Sequence, residues 1–179
     1  MSQLEAGLDE IRRAPKDAGS LALIVRRPAC EQREVLNEGS LDLAEGLVGD
    51  NWKERGSRRM PDGGPNPDTQ ITVMNSRVVS LLARSRDRWQ LAGDQLFVDL
   101  DLSVQNLPAG TRLVIGNAII EVTAEPHTGC KKFTSRYGAD AMKFVNSPVG
   151  RELCLRGINA RVVQPGAFKV GDTVKKLQA

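Results

Sequence analysis

The chain is cut into short apolar segments by regularly placed turn residues, and this rhythm constrains its fold more than any other feature. Gln95–Leu102 (QLFVDLDL) alternates apolar and polar residues, as a half-buried strand does, because successive side chains point to opposite faces. Arg112–Ile115 and Ala118–Thr123 flank Gly116–Asn117, a pair suited to a tight hairpin turn. Leu21–Arg27, Gln70–Asn75, Ile158–Gln164 and Asp172–Leu177 read as further strands, and Glu34–Leu43 as two short ones around Asn37–Ser40. Pro165–Gly166 and Val170–Gly171 punctuate the last part of the chain. Many short strands with turns between them predict a mostly β fold, a barrel or sandwich with few helices.

A length of 179 residues fits one domain. The first twenty residues read as a polar, partly helical leader, and residues 21–179 as the domain proper. Arg77–Ser85 is expected to be helical, and so is Lys131–Asn146. There Phe133, Tyr137, Ala141 and Val145 recur every fourth residue and form one apolar stripe,. Thr128 is the expected N-cap and Asn146 the expected stop, with Gly138 a weak point where the helix bends or breaks. Gly46–Asp68 is rich in Gly, Pro and charge and reads as one long loop,.

Composition excludes several functions. With one His, at position 127, and three Cys, at 30, 130 and 154, no three-histidine zinc site or four-cysteine cluster can form within one chain. An odd number of widely spaced cysteines predicts a reducing compartment, and the cytoplasm is the expected location. No apolar run approaches the roughly 18 residues of a membrane span, and no signal-peptide pattern opens the chain. A net charge of +3 is too mild to predict nucleic acid as the main partner.

Chemistry-bearing residues concentrate in His127-Thr128-Gly129-Cys130-Lys131-Lys132-Phe133. With Thr128 as cap, Cys130 falls in the first turn of a helix, beside unpaired N–H groups, the positive end of the helix dipole and two lysines. Such surroundings favour the thiolate, the form that acts as nucleophile, persulfide carrier or metal ligand. The competing reading is a buried structural thiol, since Cys is among the most buried residue types. It suits Cys154, set between two leucines, better than Cys130. A mixed metal site from His127 and the cysteines lacks the close spacing such sites show.

Taken in order, these residues resemble the MOSC domain family, named for the C-terminal domain of molybdenum cofactor sulfurases. The resemblance is carried by Gly-Leu-Val-Gly-Asp at 46–50, Asn75 after a strand and Gly-Asp at 93–94. It continues through Leu-Val-Ile-Gly-Asn-Ala at 113–118, Glu121-Val-Thr, Gly-Cys-Lys-Lys-Phe at 129–133, Arg136-Tyr-Gly, Arg156-Gly-Ile and Gly171-Asp172. It implies a β-barrel with a few peripheral helices. It also implies a cysteine, Cys130, that carries sulfur or contacts the molybdenum of a pterin cofactor. Arg136, Arg156, Lys131 and His127 would then hold the anionic cofactor, with Asp50, Asn75 and Asp94 orienting those cations or binding pterin edges. The activity implied is sulfur transfer or a cofactor-dependent oxidoreduction, with a sulfur or electron donor protein as partner. Pyridoxal phosphate is not expected, because the aminotransferase-like domain of sulfurases has no counterpart in this sequence.

The basic loop Lys53–Arg59 (KERGSRR) admits three readings: a solvated surface, a lid over an anionic ligand, or a docking site for a protein or nucleic-acid partner. The last makes the protein a non-catalytic interaction module, the alternative to cofactor chemistry. Trp52 is expected to pack the loop down, Arg26 and Arg27 to snorkel from a strand end, and Asp99 and Asp101 to face solvent.

Overall fold

The computed structural model describes residues 2–177. Eleven strands are found among them: β1 (Ala18–Arg26), β2 (Glu34–Leu36), β3 (Glu38–Asp42), β4 (Gly46–Leu47), β5 (Ile71–Asn75), β6 (Leu96–Asp99), β7 (Arg112–Ile115), β8 (Ala118–Val122), β9 (Ile158–Gln164), β10 (Gly166–Lys169) and β11 (Thr173–Lys176). Seven form one sheet in the order β11-β7-β8-β9-β5-β6-β1, and pairing of β1 with β11 closes it into a barrel. Only β5 and β6 run parallel; the other barrel neighbours are antiparallel. Closure leaves no exposed barrel edge to pair with another chain. β2 hangs outside the barrel on β1, while β3, β4 and β10 make a separate small sheet.

Alternation assigns the side chains. Ile71 and Val73 of β5, Leu96 and Val98 of β6, and Leu113 and Ile115 of β7 fill the interior together with Ile120, Ala160 and Val174. On β1, β5 and β6 the intervening residues Leu23, Val25, Met74 and Phe97 are also buried, in a second core outside the barrel. That core is covered by α4 (Ser76–Ala83) and α5 (Lys131–Val145), which contribute Val78, Val79, Leu82, Phe133, Phe144 and Val145. A wall covered on both faces explains why every residue of β5 is buried, Thr72 and Asn75 included,.

The N-terminal segment forms two short helices, α1 (Ser2–Ala6) and α2 (Leu8–Arg12). Ile11 is buried in the outer core, and Arg77 binds both the Glu10 carboxylate and Asp99. Asp99 is therefore an ion-pair partner, not a free solvent-facing charge. The long loop contains β4, the single-turn α3 (Trp52–Arg55) and a 3-10 turn at Pro67–Thr69. Trp52 is buried, so it packs the loop down as expected. β10 differs from the sequence expectation: the stretch between the Pro165–Gly166 and Val170–Gly171 punctuation forms a strand, pairing with β3 along Gly166–Lys169.

α5 stops briefly at Gly138, where φ is 89° and ψ 168°, a conformation Gly adopts without the clash a side chain would bring. Its N-cap is Cys130, not Thr128, so the thiol lies just outside the first turn. Asn146 is the C-cap. After it, Ser147 caps α6 (Pro148–Glu152) by accepting a hydrogen bond from the Gly150 amide. No helix of the described residues is long and apolar enough to cross a membrane.

Candidate functional site

Chain segments leaving one side of the barrel converge on a cleft of about 490 Å³. Arg27 arrives from the end of β1, Arg33 from the following loop, Thr72 from β5, and Arg156 and Asn159 from the turn into β9 and from β9 itself. Arg55, Arg58 and Arg59 come from the basic loop; His127, Cys130, Lys132 and Arg136 come from the segment leading into α5 and its first turns. Seven arginines and Lys132 thus line the cleft, against one lining carboxylate, Glu125, among the described residues. Carboxylates pair with Arg27, Arg59, Lys132, Arg136 and Arg156, yet cations remain in excess, and the fork geometry of arginine suits phosphate and carboxylate oxygens.

Buried acids hold this charge in place. Asp50 accepts two hydrogen bonds from the Arg27 guanidinium, each 2.8 Å, and one from its backbone amide at 2.9 Å. Asp94 accepts from Arg156 at 2.7 Å, and the same guanidinium donates to the Ala92 carbonyl at 3.0 Å. Arg156 also lies over the Phe133 ring, 4.9 Å from its centroid, a cation–π contact. Burial pushes the Asp94 carboxyl above its usual range, opposed by the Arg156 charge. The His127 imidazole is driven well below its usual pKa by burial, then by the charges of Arg156 and Arg27. It is therefore neutral near pH 7, with Nδ1 3.5 Å from Asp94 Oδ1.

Glu31 cross-ties the rim: its carboxylate bridges Lys132 and Arg136, and those partners hold it below the ordinary range of a glutamate. The Arg136 guanidinium also donates to the Leu91 carbonyl. Two buried guanidinium donors, Nε of Arg33 and Nε of Arg156, have no partner among the described residues, and neither does Nδ1 of His127. Unpaired buried donors are costly, and in a cationic cleft they are suited to an anionic ligand. Cys130 is exposed and lines the same cleft.

Of the residues singled out in the sequence, the fold brings His127, Cys130, Arg136 and Arg156 together. It does not bring Lys131, which is exposed and outside the cleft; Lys132 lines it instead, because one step around a helix turns a side chain by about 100°,. Asn75 is also elsewhere. Its side chain caps α4, accepting from the Arg77 and Val78 amides, and donates to the Leu100 carbonyl. Asp50 and Asp94 do not line the cleft but orient the arginines that do.

Sequence reasoning did not place Arg27 or Arg33 at the cleft, and it gave the ligand-holding role to Lys131 where Lys132 is the lining residue. Arg27 does not snorkel; it is buried against Asp50. Arg26, by contrast, reaches Glu34 at the surface. A buried arginine beside a strand end could have been read only by knowing that Asp50, 23 residues away, would meet it. Among the described residues, no group of three or more His, Cys, Asp or Glu is placed to hold a metal ion by itself.

A closed barrel with a cationic, thiol-bearing cleft at one side defines the class: a small β-barrel domain with arginines and one cysteine on the wall of a shared cleft. The MOSC domain family model matches residues 63–175, and the chain belongs to that family. Its fold is similar to the YUAD protein of Bacillus subtilis (18% identity, TM-score 0.61, covering 90% of this chain and 97% of that one). It is similar also to YiiM of Escherichia coli (19%, TM-score 0.56, 89% and 70%) and YiiM of Geobacillus stearothermophilus (15%, TM-score 0.57, 89% and 73%). No curated protein sequence matches. At these identities the likeness is one of fold.

Proposed function

We propose that the protein binds a molybdenum–pterin cofactor in the cationic cleft and uses Cys130 for sulfur transfer or related redox chemistry there. One observation carries this reading: an exposed cysteine stands on the wall of a cleft lined by seven arginines, two of which have buried, unpartnered Nε donors. The donor set suits the group, because a pterin cofactor ends in a phosphate and a thiolate is a soft ligand for a transition metal. Membership of the MOSC family points the same way. When bound, the cofactor would supply a metal centre for two-electron or sulfur exchange.

The chain's own residues divide the work. Arg33, Arg55 and Arg58 would hold the phosphate, and Asp50 keeps Arg27 aimed into the cleft. Arg156, locked by Asp94 and Phe133, supplies a fixed positive charge. Neutral His127 offers a hydrogen bond without adding charge. The basic loop acts as a lid, a role favoured over an interaction module because Arg55, Ser57, Arg58 and Arg59 line the cleft itself.

The test is reconstitution with extracted molybdopterin cofactor, followed by desalting and measurement of molybdenum by mass spectrometry and of pterin by fluorescence. Wild type is expected to retain both. Cys130→Ser should retain pterin and lose most of the molybdenum, and Arg33→Ala should lose both. Equal, negligible retention in all three would overturn the reading. Intact mass of protein isolated from its own cells should show an added sulfur on Cys130 if it carries persulfide.

A further inference from the structure

Behind the segment Glu125–Thr128 lies a second, separate space of about 320 Å³. Its walls are largely aliphatic: Val104, Leu107, Pro108, Val122, Val145 and Ile158. Cys154 also lines it, and burial pushes that thiol up to about 11, so it adds a neutral wall. The charged lining residues are Arg151, whose Nε is taken by the Asn146 carbonyl, and Glu125, which pairs with Arg59. The cationic cleft and this pocket share five residues: Glu125, Pro126, His127, Thr128 and Asn159. They are adjoining compartments of opposite character, and the one imidazole of the chain stands in the partition.

That partition is built to stay in place. Asn159 donates to the Glu125 carbonyl at 3.0 Å, and the Gly129 amide donates to Asn146 Oδ1 at 3.0 Å. Gly157, at φ 106°, lets the imidazole approach: a Cβ there would lie 3.2 Å from His127 Nδ1 and 2.3 Å from the Val73 carbonyl oxygen. Nδ1 lies 3.5 Å from the Asp94 carboxylate with no hydrogen bond formed between them; a proton on Nδ1 would face that carboxylate and leave Nε2 as a hydrogen-bond acceptor. Pockets of a few hundred Å³ with apolar walls and a few placed polar groups are the usual form of small-molecule sites.

We propose that this pocket binds a neutral, largely apolar small molecule with one N–H or O–H donor, and presents it across His127 to the cationic cleft. Its role as the substrate compartment of the cleft rests on the cofactor reading; its occupancy does not. Charge separates the two spaces. An anion is drawn to the arginines, and a neutral apolar molecule is accepted only behind the partition. Its size limits the ligand to about one or two fused rings, since the volume sits near the lower bound for ligand pockets.

The experiment uses the full chain without cofactor and indole as probe, with backbone amide shifts of Leu107, Val122 and Ile158 followed by NMR. Indole is expected to shift these signals saturably, while benzoate leaves them unmoved. Binding of 1-methylindole, which lacks the N–H, should be weaker by several-fold to about tenfold, the effect of one lost hydrogen bond. Val104→Trp fills the mouth from an exposed position and should abolish the indole shifts while the rest of the spectrum stays native. His127→Phe should equalise indole and 1-methylindole. Absence of saturable shifts, equal shifts in Val104→Trp, or equal response to benzoate would overturn the pocket. Equal affinity for the two indoles in wild type would overturn the His127 contact. Molybdopterin retention by Val104→Trp should match wild type, and failure of retention in both would sink the cofactor reading while leaving the indole result standing.

Discussion

Arg27 and Asp50 meet as a buried, two-pronged ion pair, with Nε and Nη2 each 2.8 Å from a carboxylate oxygen. Both groups make further bonds: Arg27 Nη1 donates to the Gly93 carbonyl at 2.9 Å, and Asp50 also accepts from the Trp52 amide. The pair thus ties the end of β1 to the start of the basic loop and to the segment before β6. It fixes three walls of the cleft at one point.

Removing one partner should therefore cost more than removing both. Asp50→Leu leaves a buried guanidinium unpaired, as Arg27→Met leaves a buried carboxylate, and each is expected to destabilise by about 3–5 kcal/mol. The double variant Arg27→Met, Asp50→Leu should be milder than either single change. Urea unfolding of the four proteins gives the coupling, and additive losses would contradict the assignment.

Stability should fall as pH drops below about 6.5, and the drop should belong to one residue. His127 is largely shielded from solvent and neutral, its pKa lowered by desolvation and by Arg156 and Arg27. The unfolded chain therefore binds a proton near pH 6.5 that the native chain refuses, and stability is lost on the acid side of that value. Asp94 faces the same ring, and its carboxyl is raised by burial. Denaturant midpoints between pH 7 and pH 5 should decline in wild type and flatten in His127→Gln. As His127 is the only histidine, an unchanged slope would exclude this origin.

Gly157→Ala should be more damaging than Gly171→Ala, although both glycines have positive φ. A Cβ at Gly157 would lie 2.3 Å from the Val73 carbonyl, whereas nothing stands within 4 Å at Gly171. Backbone strain alone costs roughly 1–3 kcal/mol, so Gly171→Ala measures that term. The excess at Gly157 measures the close approach of the strand and His127. Thermal midpoints in the same order would support this, and equal midpoints would not.

The three thiols should separate on alkylation. Cys30 and Cys130 are exposed, while Cys154 is partly buried and pushed up to about 11. Iodoacetamide on native protein at pH 8 should add two groups by mass, at Cys30 and Cys130, and a third only after unfolding. Rapid labelling of Cys154 in the native state would mean that its pocket wall opens.

Local pattern carried the architecture well. The Gly116–Asn117 hairpin, the strand at Ile158–Gln164 and the weak point at Gly138 all follow from turn chemistry and side-chain alternation within a few residues. α5 starts at Lys131 as its apolar stripe predicts, but its N-cap is Cys130 and not Thr128, because the chain stays extended through Cys130. β10 was missed because its partner β3 lies over a hundred residues earlier, and a short edge strand has little pattern of its own.

The sequence by itself determined a β-rich domain with short elements, the one histidine and one candidate cysteine three positions apart, and a family likeness around them. Only the tertiary structure decided which charges stand around that cysteine. Arg27, Arg33 and Arg55 are scattered along the chain, and Asp50 and Asp94 look like surface residues when read locally. Closing the barrel brings their carrying loops to one side. The loss of solvent there makes each buried acid require a specific arginine. Lys131 and Asn75 were set aside by the same geometry, one by a single step around a helix and the other by the need to cap one.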